Sequence, residues 1–252
     1  MGAAVAPGLR RVEHVMGMPI VLDVRDADVD DGAVDAALAL LREVDATFST
    51  YKADSEVSRL ARGELAEADA GPEVRAVLAR CEELRGETGG FFDARAGGSL
   101  DPSGYVKGWA VERAADVLWD AGLRDFALNA GGDIRLRGRA RPEPVWRVGI
   151  QHPRQGDRVA AVVEANDLAV ATSGAYARGD HIVDPHTGRA PDGVLSVTVV
   201  GADLATADAY ATAAFAMGGR AGSRWTAELE GYEAMTVLAD DTVRLTAAFP
   251  RA

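Results

Sequence analysis

Between Phe126 and Gly201 six stretches with strand character follow one another: FALNA, DIRLRGR, VWRVGIQ, RVAAVVEA, LAVATS and LSVTVVG. Most are joined by turns too short for the crossover that a parallel pair needs, so the sheet they build has to be largely antiparallel. Helical patterns lie on both sides of this block. The chain therefore reads as α+β, largely antiparallel sheets flanked by helices, and not as a doubly wound parallel fold.

The flanking elements follow from periodicity and punctuation. HVMGMPIVLDVRD (His14 to Asp26) predicts an opening strand, and Asp30 to Thr47 repeats apolar residues at three- and four-residue steps, as a helix does. STYKADSEVSRL is polar and loop-like, with a last turn that suits a helix. Gly71-Pro72 opens a second helix that stops near RGETGG, and YVKGWAVERAADVLWDAG predicts a third, stopping at Gly122. A fourth, TADAYATAAFAMGG, precedes a helix around RWTAELEG and two strands, AMTVLA and DTVRLTA. No Pro/Ser-rich linker or low-complexity tract divides the chain, so residues 1–252 are expected to form one domain.

Charge narrows the function classes. A formal net charge of −12 argues against a nucleic-acid surface, which needs clustered Lys and Arg. It leaves room for a small anionic ligand in one locally positive or metal-filled pocket. The single cysteine, Cys81, excludes an intrachain disulfide, and its helical setting predicts a structural thiol. MGAAVAPGLRRVEHVMG has no apolar core before its arginines, no early cysteine for a lipid, and Ala6 where a myristoylation signal has Ser or Thr. No run of eighteen apolar residues follows. The expectation is a cytoplasmic protein without a membrane anchor.

Four windows carry residues suited to chemistry. In TADAYATAAF, Asp208 and Thr212 are four apart and share a helix face, with Thr206 as a candidate N-cap. The pair suits a hard cation such as Mg²⁺, yet on spacing alone the plainer reading, a helix-start carboxylate and filler, is the favoured one, because such pairs are common. LNAGGDIRLRG sets Asn129, Gly131, Gly132 and Asp133 between two strands, either as a hairpin turn or as a place of close backbone approach. LDPSGYVKGW puts Asp101, Gly104 and Lys107 at a helix mouth, an anion site or a simple cap with a solvated lysine. Gly108 costs about 1 kcal/mol in a helix, which a close approach by backbone or ligand would explain.

The fourth window, ATSGAYARGDHIVDPHTG, gathers Ser173, His181 and Asp184 within a dozen positions. A serine triad is disfavoured, because the G-x-S-x-G elbow is missing and triad members come from separated segments. A zinc pair of His181 and His186 lacks familiar ligand spacing. A turn at Asp184-Pro185 with a hydrogen-bonded His181 satisfies the loop taken alone.

Taken together the windows resemble the ApbE-type flavin transferases, that is, FAD:protein FMN transferases. The matching stretches run in family order: VMGMPI, FSTYKADSEVSRL, FFDAR, DPSGYVKGWAVERAADVL, LNAGGDIRLRG, WRVGIQHP, ATSGAYARGDHIVDPHTGRAP and SVTVVGADLATADAYATAAFAMG. The resemblance implies two interlocked T-fold-like halves. It also implies a Mg²⁺-dependent enzyme that cleaves FAD at its pyrophosphate, passes FMN to a Thr or Ser hydroxyl of an acceptor flavoprotein and releases AMP. Carried over by position, Asp208, Thr212 and the Gly104 carbonyl would hold the metal, and His181 would be the catalytic histidine. Met16, Tyr51, Asp93, Asp101, Lys107 and Ile182 fall at FAD-contacting positions. Asn129, Gly131, Gly132, Asp133, Ser173 and Gly174 resemble pocket-shaping motifs.

The chain departs from the family pattern at Met18, where Thr is usual, at Ala61, where Asn is common, and in a short segment between Asp93 and Asp101. Two other functions share the same residues. Water in place of the protein hydroxyl gives a FAD pyrophosphatase, and loss of catalysis gives a flavin-binding protein.

Overall fold

The computed structural model describes residues 8–174 and 182–252. Eight strands form one sheet in the order β1-β2-β3-β4-β7-β8-β9-β10, every neighbouring pair antiparallel. Their bounds are β1 Leu9–Val15, β2 Met18–Val24, β3 Phe126–Ala130, β4 Asp133–Arg137, β7 Ala169–Gly174, β8 Val194–Gly201, β9 Tyr232–Leu238 and β10 Val243–Leu245. The remaining two, β5 Trp146–His152 and β6 Gln155–Ala165, pair separately. The antiparallel expectation is met.

The helices are α1 Asp31–Phe48, α2 Glu56–Ala61, α3 Pro72–Glu87, α4 Ser103–Asp120, α5 Leu204–Ala216 and α6 Gly219–Thr226. The sheet repeats one plan twice: a hairpin, then helices, then a second hairpin. In the first half α1 to α4 separate β2 from β3, and in the second α5 and α6 separate β8 from β9. Within the sheet the halves meet at the registered pairs Ile134–Val170 and Arg135–Ala169 of β4 and β7.

Side-chain alternation along the strands divides the core between the two faces of the sheet. Ala169, Ala171, Val197 and Val199 pack with the helices, whereas Leu136, Val170 and Val200 pack with Trp146, Ile150 and Val163 of the β5–β6 ribbon. Because β8 is covered on both faces, its sequence reads as a nearly unbroken apolar run. α5 is buried almost all round, which is why its alanines show no polar face. No helix among the described residues is long and apolar enough to cross a membrane.

Three local expectations are corrected. The opening strand is a hairpin, because Met16 (φ 57°) and Gly17 (φ 73°) form a two-residue turn between the paired Val15 and Met18. Two positive φ values suit the right-handed twist of a hairpin, but methionine gives no sequence signal for one. The cap of α5 is Asp203, whose side chain accepts from the Thr206 N–H at 2.7 Å, so Asp208 lies in the second turn rather than the first. The helix expected around RWTAELEG begins earlier, at Gly219.

Candidate active site

Two helices meet where glycine removes the obstacle. A methyl group on Gly108 would lie 2.5 Å from the carbonyl oxygen of Leu204, so α4 and α5 touch backbone to backbone. This is the close approach that its helix-disfavouring sequence position called for. At this contact the Gly108 N–H donates to Asp208 Oδ2 at 3.1 Å. The Asp208 side chain is thereby fixed at the floor of a cavity of about 410 Å³.

Around the floor three charges are packed. Lys107 Nζ lies 2.5 Å from Asp133 Oδ2 and 3.7 Å from Asp208 Oδ1. The Asp208 and Asp133 side chains are only 2% and 1% exposed. Burial pushes the Asp208 carboxyl up to about 8. The Lys107 charge opposes that rise, the Asp133 charge adds to it, and the Gly108 N–H opposes it again. Two buried carboxylates beside one ammonium leave a deficit of positive charge when both are ionised, which is costly in a low-dielectric setting.

One helical turn on, Thr212 completes the floor, its Oγ1 lying 3.3 Å from Ser173 Oγ at the end of β7. Gly104 packs against it, since a Cβ there would lie 3.2 Å from Thr212 Oγ1 and 3.4 Å from the Phe92 ring. A carboxylate, a hydroxyl and an unobstructed backbone fit a small hard cation such as Mg²⁺, which takes few protein ligands and keeps room for phosphate and water. Among the described residues no group of three His, Cys, Asp or Glu side chains gathers as a metal cage, here or elsewhere.

The walls come from three loops. The β3–β4 turn contributes Gly131, and Asn129 Oδ1 accepts from the Gly132 N–H at 2.9 Å to hold that turn. Asp133 Oδ1 accepts from the Thr172 N–H at 3.1 Å and so ties the turn to β7. Asp93 and Asp101 also line the cavity; Asp101 Oδ1 accepts from the Ser103 N–H at 3.0 Å at the start of α4. Gly174 and Ile182 lie on either side of the segment 175–181 and both line the cavity.

Ten of the expected residues thus share this cavity: Asp93, Asp101, Gly104, Lys107, Gly131, Ser173, Gly174, Ile182, Asp208 and Thr212. Asn129, Gly132 and Asp133 act just behind its wall through the bonds above. Met16 and Tyr51 are not among its lining residues. Tyr51 is 95% exposed, which excludes a core tyrosine and leaves a free aromatic face. His181 lies outside the described residues. Asp184 is a turn residue, its two oxygens accepting from the His186 N–H and the Thr187 hydroxyl.

Other walls were missed by residue-by-residue reading. Phe91 and Phe92 line the cavity, as do Ala96, Gly97 and Ser99 of the short segment before Asp101. The paired aromatics in GGFFDAR were the available signal. Phe91 stacks edge-on against the His186 ring, with centroids 4.6 Å apart, and His186 Nε2 lies 3.1 Å from the Gly89 carbonyl.

Comparison with known proteins matches this chain to the model of the ApbE family over residues 16–98 and 94–236. A FAD:protein FMN transferase of Vibrio cholerae is 40% identical over 129 residues, 47% of this chain and 39% of that protein. Another, of Rhodobacter capsulatus, is 38% identical over 150 residues, 56% of this chain and 28% of its own length. The chain thus spans less than half the length of these relatives in the alignments. Over the whole fold, the solved flavin transferase ApbE of Vibrio cholerae superimposes with a TM-score of 0.85 at 25% identity, covering 97% of this chain and 98% of its own. The ApbE protein of Thermotoga maritima, 23% identical, shares the fold with a TM-score of 0.88 over 98% of this chain and all of its own.

Proposed function

The chain belongs to the ApbE family, and from that premise we propose that it is a FAD:protein FMN transferase acting as one domain over residues 1–252. In this reaction a Ser or Thr hydroxyl of an acceptor flavoprotein attacks the FMN phosphorus of FAD. The P–O bond to the AMP half breaks, a phosphoester to FMN forms, the hydroxyl proton leaves to a base, and AMP departs.

One observation carries the reading: the buried Asp208–Lys107–Asp133 cluster lies beside Thr212 at the floor of a cavity. Displacement at phosphorus requires charge neutralisation and alignment more than any covalent contribution from the enzyme. Mg²⁺ held by Asp208, Thr212 and the Gly104 carbonyl would neutralise the pyrophosphate oxygens. Lys107, turning from Asp133, would bind a phosphate oxygen and hold the reacting phosphorus in line. Gly131, Ser173, Gly174 and Ile182 would shape the FAD pocket with Asp93 and Asp101, while Asn129, Gly132 and Asp133 fix its β3–β4 edge. Met16 and Tyr51 are assigned to FAD by position in the family pattern, and Tyr51 has the exposed ring to offer. His181, assigned by the same pattern, would accept the hydroxyl proton near neutral pH.

Incubation with FAD and Mg²⁺, with and without a purified flavoprotein acceptor, tests the proposal by AMP release and in-gel flavin fluorescence. The transferase yields a fluorescent acceptor. AMP with no adduct identifies a pyrophosphatase, and neither product identifies a flavin binder.

A further inference from the structure

Asp208, Thr212 and Ala216 follow at steps of four residues and so lie on one face of α5. The first two line the cavity; Ala216 and Met217 line a second, open groove of about 920 Å³. Thr212 and Ala216 are separated by about 6 Å of helix rise. A single segment lies between the two spaces, with Val183 and Pro185 facing the cavity and Asp184, Thr187 and Arg189 facing the groove. The groove continues past Arg220 and Arg244 into a hollow of about 550 Å³, which these two arginines share with Arg224. Its floor includes the buried hydroxyl residues Thr226 and Thr236.

This end of the groove is unlike the rest of the molecule. Among the described residues no Asp or Glu lines the hollow, although acidic residues exceed basic ones by 39 to 27 in the chain. Arg220, Arg224 and Arg244 are exposed, and none makes a salt bridge among the described residues. Arg220 and Arg224 are like charges four apart on α6; Arg220 sits in the first turn, where the helix dipole disfavours a cation, and Arg224 in the last, where it favours one. In the wider groove Asp184 spends both oxygens on its own turn, Asp240 accepts from the Thr242 N–H and lies in the field of Arg244, and Asp192 is exposed, so the excess of positive charge is confined to the Arg220–Arg224–Arg244 end.

We propose that this groove docks the acceptor polypeptide, whose hydroxyl enters the cavity while acidic side chains of the adjoining segment lie against Arg220, Arg224 and Arg244. The proposal rests on the transferase reading for the identity of the partner. Guanidinium forks match carboxylates in pairs. An open, elongated groove with exposed charges suits an extended chain better than an enclosed small molecule. Opposite charge also raises the rate of encounter for a protein that otherwise repels acidic partners.

The test uses the full chain and two fluorescein-labelled peptides, each with one threonine in a neutral stretch, followed by six glutamates or by six glutamines. Fluorescence anisotropy at low salt should show the glutamate peptide binding at least tenfold more tightly than its glutamine counterpart. Binding should weaken as salt is raised. Arg220→Glu/Arg224→Glu/Arg244→Glu should lose at least tenfold in affinity for it, and Arg220→Gln/Arg244→Gln should lose less, with circular dichroism unchanged in both. FAD binding, followed by flavin fluorescence, should be the same in wild type and variants. Equal peptide binding by wild type and the triple variant, or no preference for glutamate, overturns the docking surface. So does inorganic pyrophosphate that binds in a manner lost in the triple variant while the peptide does not bind, which would make the hollow a small-anion site. A wild-type protein that takes the glutamate peptide but no FAD leaves the groove standing and removes the transferase reading instead.

Discussion

The backbone N–H of Gly108 donates to the carboxylate of Asp208 across the α4–α5 contact, at 3.1 Å. The residue that permits the helices to touch also positions the acid at the cavity floor, so fold and site depend on the same few atoms.

Gly108→Ala therefore strikes both. Its methyl would meet the Leu204 carbonyl at 2.5 Å and the Ala205 Cα at 2.9 Å, and backbone cannot rotate away as a side chain can. A loss of about 1–3 kcal/mol in urea denaturation is expected, together with a larger fall in FAD turnover than stability alone explains. A variant with wild-type turnover would show that the α4–α5 spacing does not set the position of Asp208.

Asp208→Asn separates function from stability. The native carboxyl is pushed up to about 8, with burial as the main cause, so the metal-free protein gains little from its charge at neutral pH. The amide should leave the thermal midpoint of the metal-free protein unchanged or raise it. Loss of the anionic ligand should lower Mg²⁺-dependent turnover by two orders of magnitude or more. Undiminished turnover excludes Asp208 as a metal ligand.

A second buried ion cluster holds the start of α5. Glu112 Oε1 contacts Arg135 Nε at 2.7 Å and Arg137 at 3.0 Å, while its Oε2 accepts from the Leu204 N–H at 2.9 Å. The Arg135 side chain is 5% exposed. Glu112→Ala would leave a buried guanidinium without its counter-charge and should cost about 3–5 kcal/mol by chemical denaturation. A cost below about 1 kcal/mol would mean that water replaces the carboxylate.

Cys81 should behave as a packing residue. Burial pushes its thiol up to about 12, against an ordinary value of about 8.5 in an unfolded chain. Native protein at pH 8.5 should resist iodoacetamide, and urea-unfolded protein should react within minutes. The sign for stability follows: the unfolded chain ionises first, so this residue's contribution is intact below about pH 8.5 and declines as pH rises above it. Fast labelling of the native state would contradict its burial.

What the sequence disclosed depended on whether a residue acts through a local rule. Pro72 at the start of α3, the Gly131-Gly132 turn and the two-face burial of β8 each carry a local signature. The Met16-Gly17 turn does not, because a methionine at positive φ is tolerated only in its completed hairpin. Asp203 and Thr206 both look like caps, and only the chain path chooses between them. The residues that share the cavity were legible as an ordered set of windows rather than from any one window. Asp133 and Asp208 are 75 positions apart, and no spacing rule announces that Lys107 reaches toward both. The contribution of Phe91 and Phe92 likewise needed the fold, since adjacent aromatics read first as core.

Mass spectrometry of an acceptor flavoprotein after incubation with the protein, FAD and Mg²⁺, alongside quantitation of AMP, decides whether the chain is a transferase. One Ser or Thr of the acceptor should gain the mass of FMN less one water, one AMP should appear per adduct, and EDTA should suppress both until Mg²⁺ is restored. AMP without an adduct, or an unmodified acceptor with intact FAD, would contradict the transferase assignment.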